Sequence, residues 1–271
     1  MTAATRVLVV VPTYDERDSL PRALAALRRE VPDADVLVVD DGSPDGTGDL
    51  AEEIAEQDAA VTGRRAVHVL HRTGKQGLGT AYVTGFRWAL ERGYDAVVEM
   101  DADGSHRAED LPALLAALPD AELVIGSRWV RGGRVVNWPL HRQLLSRGAN
   151  VYAWLAMGLP VRDATAGFRV YRSSALVGLA LDEVASHGYC FQIDMAWRVL
   201  RTGGRVVEVP ITFVERAEGR SKMSNDIVVE ALVRVTVWGA QERARQIRSL
   251  LGRRGDRPAA DGATSRPSDQ G

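Results

Sequence analysis

The chain has 271 residues, 45% hydrophobic and 26% charged, the profile of a soluble globular protein with one large domain or two small ones. Its formal net charge of −2 supplies no whole-molecule field to recruit nucleic acid, and its single cysteine, Cys190, excludes an internal disulfide framework and fits a reducing compartment. No apolar run approaches the roughly 20 residues needed to cross a bilayer, there is no internal repeat, and Met1 to Thr5 lack the charged-then-apolar layout of a leader.

Arg6 to Val11 is short, continuously apolar and β-branched, which predicts a strand buried on both faces. Pro12-Thr13-Tyr14-Asp15-Glu16 ends it. Ser19 reads as the N-cap of a helix through Ala23, Leu24 and Leu27, with Pro21 in the first turn. Val36–Val39 predicts a second strand, ending in Asp40-Asp41-Gly42-Ser43-Pro44-Asp45-Gly46-Thr47, before a helix through Leu50 and Ile54. Val67–Leu70 predicts a third strand, and Gly74-Lys75-Gln76-Gly77-Leu78-Gly79-Thr80 leads into a helix over Ala81–Arg92. Ala96–Met100 and Leu123–Ile125 predict further strands, separated by a helix over Leu111–Leu118. Beyond Val135 the pattern changes. Leu140–Met157 reads as an amphipathic helix, Tyr189–Leu200 as a helix, Val206–Val214 as one strand interrupted at Pro210, and Asn225–Leu251 as a long helix. The tail 253–271 is too polar to offset the entropy of ordering and is expected to be disordered. The alternation implies an α/β fold: a parallel, Rossmann-like sheet with helices on both faces and amphipathic helices toward the C-terminus. A single domain is expected over 1–252, its pattern changing between a half over about 6–134 and a half over about 135–252.

In such sheets ligands bind beyond the carboxyl ends of the strands. The polar clusters fall there: Pro12 to Glu16, Asp40 to Thr47, Asp101 to Ser105, and Gly126 to Arg128. In Met100-Asp101-Ala102-Asp103-Gly104-Ser105 the two aspartates are two residues apart, so an extended backbone points both the same way. They suit a hard cation, Mg²⁺ or Mn²⁺, shared with phosphate oxygens, or else form a solvated turn. Asp41 suits a base or ribose, or equally a helix-capping turn. Arg216, Arg220 and Lys222 suit a diphosphate or a solvated loop. Arg142 and Ser146 share a helix face and can hold a phosphate, whereas Arg147 lies further round. His106 and the other histidines show no metal spacing and read as ordinary.

Taken in order, these motifs resemble glycosyltransferase family 2 enzymes of the GT-A fold, and within them the dolichol- or polyprenol-phosphate mannose synthases. The likeness runs from about Val7 to Lys222. It is carried by Pro12-Thr13-Tyr14 with Glu16, Val39 to Thr47, Gly77 to Tyr82, Met100 to Asp103, Gly126-Ser127-Arg128, Ser146 to Asn150, Gly167 to Arg172, Gly188 to Gln192, and Val209 to Lys222. The resemblance implies transfer of mannose from GDP-mannose to a polyprenyl monophosphate with inversion, with a nucleotide-binding half over about 6–134 and an acceptor- and membrane-facing half over about 135–252. Pro12, Tyr14, Glu16, Val39 and Asp41 would then hold the nucleoside, and Asp101, Ala102 and Asp103 would lie at the diphosphate. Asp101, Asp103 and Ser105 would be metal ligands, Arg128, Arg216 and Lys222 would complete the donor site, and Arg142 with Ser146 would hold the acceptor phosphate. Asp103 and Arg128 would be the catalytic pair. Asp15 stands where Asn is usual, Ser105 where some members carry Gln, and Asp194 where Glu is expected, with its role open.

A lipid monophosphate is already an anion near neutral pH, so no carboxylate base is expected. Its apolar chain implies peripheral attachment to the cytoplasmic face of a membrane through Leu140–Met157 and Asn225–Leu251. Leu144, Leu145, Val151, Trp154, Leu155 and Trp238 would enter the headgroup boundary, unless these faces pack on the sheet. A separate membrane-protein partner is compatible with this picture. A dehydrogenase reading would need Gly-x-Gly-x-x-Gly after the first strand, where Pro12-Thr13-Tyr14 stands instead. A glucosyl- or other glycosyltransferase using another nucleotide sugar, or a non-catalytic lipid-carrier scaffold, are the alternatives.

Overall fold

The computed structural model describes residues 5–184, 189–215, 232–241 and 243. The strands are β1 (Val7–Thr13), β2 (Asp35–Asp40), β3 (Val67–His71), β4 (Ala96–Glu99), β5 (Leu123–Ser127), β6 (Arg134–Val136), β7 (Arg169–Arg172), β8 (Val206–Pro210) and β9 (Thr212–Val214). The α-helices are α1 (Leu20–Glu30), α2 (Thr47–Thr62), α3 (Leu78–Glu91), α4 (Leu111–Ala117), α5 (Leu140–Met157), α6 (Ser173–Val177) and α7 (Tyr189–Arg201), and residues 232–241 are helical as well. Seven strands form one sheet in the order β3-β2-β1-β4-β7-β5-β8, and β6 pairs with β9 in a small second sheet.

The apolar strands alternate their side chains between two cores, which is why they lack polar positions. Leu8, Val10, Leu37, Val39 and Val97 face a cluster with Tyr82 and Phe86 of α3 and Phe191 of α7. Val9, Val11, Val36, Val38 and Val98 face the opposite cluster with Leu20, Leu24 and Leu27 of α1 and Leu111 and Leu114 of α4. The first cluster reaches Ala153 of α5 and Val235, so the C-terminal segment closes onto the same core.

The sheet differs from the expected all-parallel one. β7 runs antiparallel to both neighbours, β4 and β5. Its four residues begin and end in arginine, a pattern that carries no strand signal, yet Arg169 and Tyr171 are fully buried. The expected single strand Val206–Val214 is two strands in different sheets, because the chain turns at Pro210 and Ile211. β1 runs through Pro12 to Thr13, with Pro12 opposite Val39 in register. Ser19 sits at the N-cap of α1, but its hydroxyl turns back to Glu16 and caps no helical N–H. Most of the expected helix Asn225–Leu251 lies outside the described residues.

β1 leads to β2 on one side and β4 on the other, so the strand order reverses between β1 and β4. In open α/β sheets ligands bind at such a switch point, beyond the carboxyl ends of the strands. The loops after β1, β2, β3 and β4 all end on this rim.

Candidate functional site

Five residues expected at a nucleoside lie on or just beyond β1 and β2. Pro12 and Val39 pair across the strand ends, Val39 fully buried. Asp15 adopts φ +57°, a left-handed conformation that Asn and Asp tolerate better than other side chains, and its N–H donates to Ser43 Oγ at 3.1 Å. Glu16 Oε2 accepts from Ser19 Oγ at 2.8 Å, and its N–H donates to Thr47 Oγ1 at 3.0 Å, which tethers this loop to α2. The Lys75 ammonium lies 4.1 Å from the Tyr14 ring centre. Asp40 is structural: buried, it accepts from Thr13 Oγ1 and from the backbone and hydroxyl of Ser43.

Asp41 is engaged in a way the sequence did not disclose. Its Oδ1 accepts from Arg72 Nη1 at 2.6 Å, and its Oδ2 accepts from the backbone N–H groups of Gln76 and Gly77, each at 2.9 Å. The carboxylate thus holds the turn that leads into α3, whose N-cap, Gly77, has no side chain to supply. Three of the roughly four acceptor positions of the carboxylate are used in holding this loop.

Beyond β4, Asp101 Oδ1 accepts from the Tyr82 hydroxyl at 2.9 Å, and Asp103 Oδ1 accepts from the Ser105 N–H at 3.0 Å. Gly104 between them has φ +76°, which needs a glycine. Burial beside Asp101 and Glu99 pushes the Tyr82 hydroxyl well above its usual range, so it stays a donor. Ser105 is buried, and its Oγ has no hydrogen-bond partner among the described residues. His106, read as ordinary, is buried against Phe168 at 5.2 Å between ring centres, and its Nδ1 accepts from the Asp101 N–H at 3.1 Å. Underneath, Glu99 is fully enclosed, and burial pushes its carboxyl up to about 7 against the opposing charge of Arg169. No three His, Cys, Asp or Glu side chains cluster as a closed metal cage among the described residues. Two carboxylates and an unpartnered buried hydroxyl instead fit a cation that takes its remaining ligands from a substrate phosphate.

The third group lines a cavity of about 370 Å³ between α5, α7 and the helix over 232–241, walled by Leu144, Leu145, Ile193, Leu232 and Val235. Arg128, Arg142, Ser146 and Thr165 also line it. Arg128, expected at a donor diphosphate, is 6% exposed and forks onto the fully buried Asp163, with Nε to Oδ2 at 2.8 Å and Nη2 to Oδ1 at 2.6 Å. Arg142 Nη1 donates to Glu215 Oε1 at 2.5 Å. Trp138 lies beside both, its ring centre 5.2 Å from the Arg128 guanidinium carbon and 5.6 Å from that of Arg142. Arg147 stacks outside, 4.5 Å from the Trp129 ring. Ser146 Oγ is buried without a partner among the described residues. Arg216, Arg220 and Lys222 lie outside the described residues. Asp194 is buried and accepts from Arg198 Nε one turn on, at 2.8 Å.

The candidate residues thus fall into three groups. Tyr82, His106, Trp138, Asp163, Thr165 and Glu215 belong to them without having been singled out from the sequence. For Asp163 and Thr165 a signal was available: an acid and a hydroxyl two residues apart, just ahead of the Gly167-Phe168-Arg169 motif.

The model of the family "Glycosyl transferase family 2" matches residues 8–178. The undecaprenyl-phosphate mannosyltransferase of Micrococcus luteus is 56% identical over 247 residues, covering 91% of this chain and 99% of that protein. The polyprenol monophosphomannose synthase of Mycolicibacterium smegmatis is 50% identical over 247 residues, covering 91% of each. Among solved structures, glucosyl-3-phosphoglycerate synthase from Mycobacterium tuberculosis with Mn²⁺, UDP-glucose and phosphoglyceric acid superposes with a TM-score of 0.61 at 18% identity, over 88% of this chain and 80% of that one. A mannosyltransferase from Pyrobaculum calidifontis with GDP-Man and Mn²⁺ gives 0.52 at 19% identity, over 94% and 80%. At these identities the structural likeness speaks for the fold.

Proposed function

The chain belongs to glycosyltransferase family 2, and from that premise we propose that it transfers mannose from GDP-mannose to a polyprenyl monophosphate, inverting the anomeric centre. The names of the two relatives, at 56% and 50% identity over most of the chain, support the sugar and the acceptor class. The observation that carries the reading in this molecule is the cavity: its walls are apolar, and Arg142, Arg128 and a buried, unpartnered Ser146 hydroxyl line the same space. That pairing suits an anionic head on a hydrocarbon chain.

Pro12, Tyr14, Glu16, Val39 and Asp41 take the nucleoside. Asp101, Ala102 and Asp103 lie along the diphosphate, with Arg128, Arg216 and Lys222 completing its charge balance. Asp101, Asp103 and Ser105 would hold Mg²⁺ or Mn²⁺, which when bound stabilises the departing nucleoside diphosphate. Arg142 and Ser146 hold the acceptor phosphate so that its oxygen faces the sugar from the side opposite the leaving group. Because that oxygen is already anionic, the residues have two anions to bring together and no proton to remove. The protein works at the cytoplasmic face of a membrane and attaches to it peripherally, with α5 as the docking element.

The test is a transfer assay with a short polyprenyl phosphate, Mg²⁺ or Mn²⁺, and either GDP-mannose or UDP-glucose carrying a sugar label. Butanol-extractable label is expected from GDP-mannose alone, and label from UDP-glucose alone overturns the donor. Asp103→Asn is expected to lower kcat about 10²- to 10³-fold, the scale of a lost electrostatic contact in the transition state. Asp194→Asn, compared at matched folding, is expected to lose far less. An equal loss across a broad pH range would restore a carboxylate base.

A further inference from the structure

We propose that Glu215 is a resident anion of the acceptor cradle: its carboxylate holds the Arg142 guanidinium until an acceptor phosphate displaces it. The inference rests on Arg142 and Ser146 being the acceptor-phosphate ligands, and adds what occupies that cation beforehand.

Arg142 Nη1 and Glu215 Oε1 are 2.5 Å apart, and the two side chains are 18% and 21% exposed. The other carboxylate oxygen, Oε2, is buried with no hydrogen-bond partner among the described residues. Ser146 Oγ, one helical turn beyond Arg142, is in the same condition. A carboxylate matched on one oxygen only fits the cradle imperfectly, and a donor hydroxyl beside it stays unused. A phosphomonoester dianion removes both faults. It brings nearly two charges and three acceptor oxygens, enough for the guanidinium and the hydroxyl together.

Arg142 need not collapse when Glu215 leaves. The indole of Trp138 lies 5.6 Å from its guanidinium carbon, within the range of a cation–π contact, and α5 fixes its backbone. Trp138 is itself wedged between Arg142 and Arg128, whose guanidinium is anchored by Asp163. The cation is therefore oriented from one side by the ring and neutralised from the other by a removable carboxylate. Such an arrangement selects by charge: a dianion wins the exchange, while a monoanion or a neutral alcohol gains too little to expel Glu215.

The position of Glu215 in the chain adds a link to the donor side. It follows β9 directly, where the Val214 N–H donates to the Ser105 carbonyl at 3.1 Å and the Glu215 N–H to the Val136 carbonyl at 2.9 Å. The exchange thus takes place one residue from a strand end tied to the Asp101–Ser105 loop.

Calorimetric titration of the full chain with decyl phosphate, decyl sulfate and decanol tests the proposal. Glu215→Gln is expected to bind decyl phosphate about tenfold more tightly, the lower end of what a charge-assisted hydrogen bond is worth. It is also expected to narrow the preference for phosphate over sulfate and to leave decanol unaffected. Glu215→Ala is the second variant should the glutamine form not fold, with a gain at least as large. In turnover Glu215→Gln alone is expected to lower the acceptor KM without a matching fall in donor KM, and combining it with Arg142→Gln is expected to abolish the gain. Unchanged or weaker decyl phosphate binding overturns the inference and leaves the proposed function standing. An equal gain for decanol also overturns it, since the effect would then be one of packing. No decyl phosphate binding by wild type or any variant removes the acceptor cradle itself.

Discussion

Arg128 and Asp163 are enclosed together, 6% and 0% exposed, with two side-chain bonds between them and a third from the Arg128 backbone N–H to Asp163 Oδ2 at 2.9 Å. Each charge is tolerable only because the other is present. Asp163→Asn is therefore expected to destabilise the protein by about 3–5 kcal/mol, the range for stripping one partner from a buried pair. Urea unfolding would show this as a lower midpoint at an unchanged slope. A midpoint equal to that of the wild type would mean that Arg128 is neutralised elsewhere. The pair also explains how a cation in the wall of the cavity is kept in one place: its fork is fixed by Asp163, and Trp138 covers its face. Arg128 was legible in the sequence as the end of Gly126-Ser127-Arg128, but its pairing with Asp163 was not, because the two lie 35 residues apart and only the fold joins them. Of three buried serine hydroxyls without a hydrogen-bond partner among the described residues, Ser105, Ser146 and Ser173, the first two stand at positions the sequence had marked for ligands. A hydroxyl excluded from water costs free energy unless bonded, so their burial is consistent with a ligand completing them.

At the level of elements, α3 shows how closely backbone must meet backbone to build the rim. A Cβ placed on Gly85 would lie 2.4 Å from Val10 Cγ1 and 2.9 Å from Cγ2, and Val10 is fully buried in the sheet. In an exposed helix, Gly to Ala gains about 1 kcal/mol of propensity. Here the added methyl meets a stiff β-branched side chain with no room to turn, and overpacking of this kind costs typically about 1–3 kcal/mol. Gly85→Ala is thus expected to lower stability on balance. Gly85→Ala combined with Val10→Ala is expected to lose less than the sum of the two single changes, as a double-mutant cycle by urea unfolding would read. Strict additivity would show that the two sites do not touch. The elements legible in the sequence were those with a long hydrophobic signal: β1 to β5, α1 to α5, and α7. β7 was lost because arginines at both of its ends hide a strand whose Arg169 binds the backbone carbonyls of Ala164, Ala166 and Gln192 from inside the core. Pro210 misled in the other direction, since it ends β8 instead of interrupting one longer strand. Asp41 was identified as a polar rim residue, but its partners were invisible, being backbone N–H groups 35 and 36 residues later in the loop that leads into α3.

Across the whole molecule, α5 divides its surface in two. Asn150, Ala153 and Met157 are buried, while Leu140, Leu144, Val151, Trp154 and Leu155 stand 76%, 70%, 54%, 55% and 57% exposed. Leu140, Leu144, Val151 and Leu155 recur at spacings that keep them on one face of a helix. One side of this helix packs on the core, as the sheet-face reading expected, and the opposite side is apolar and exposed, which leaves it open to a membrane. Trp238 goes the other way: it stacks on Trp197 at 6.0 Å and belongs to the core contact, which removes it from the expected membrane anchors. The exposed stripe adjoins the cavity, because Leu144 belongs to both. A polyprenyl chain leaving that cavity would run directly onto an apolar surface, and a contiguous patch of this kind marks an interaction site. No helix among the described residues is long and apolar enough to cross a membrane, so the predicted attachment is interfacial. Burying each large apolar side chain contributes about 1.5–3 kcal/mol, so replacing Val151, Trp154 and Leu155 together by serine is expected to lower vesicle affinity at least tenfold. Because all three are exposed, the change should alter folding stability only slightly. Flotation with anionic vesicles at low salt reads the affinity, and thermal melting checks the fold. Wild-type protein that stays at the bottom of the gradient, or a triple variant that floats as well as wild type, would mean that α5 meets something other than lipid.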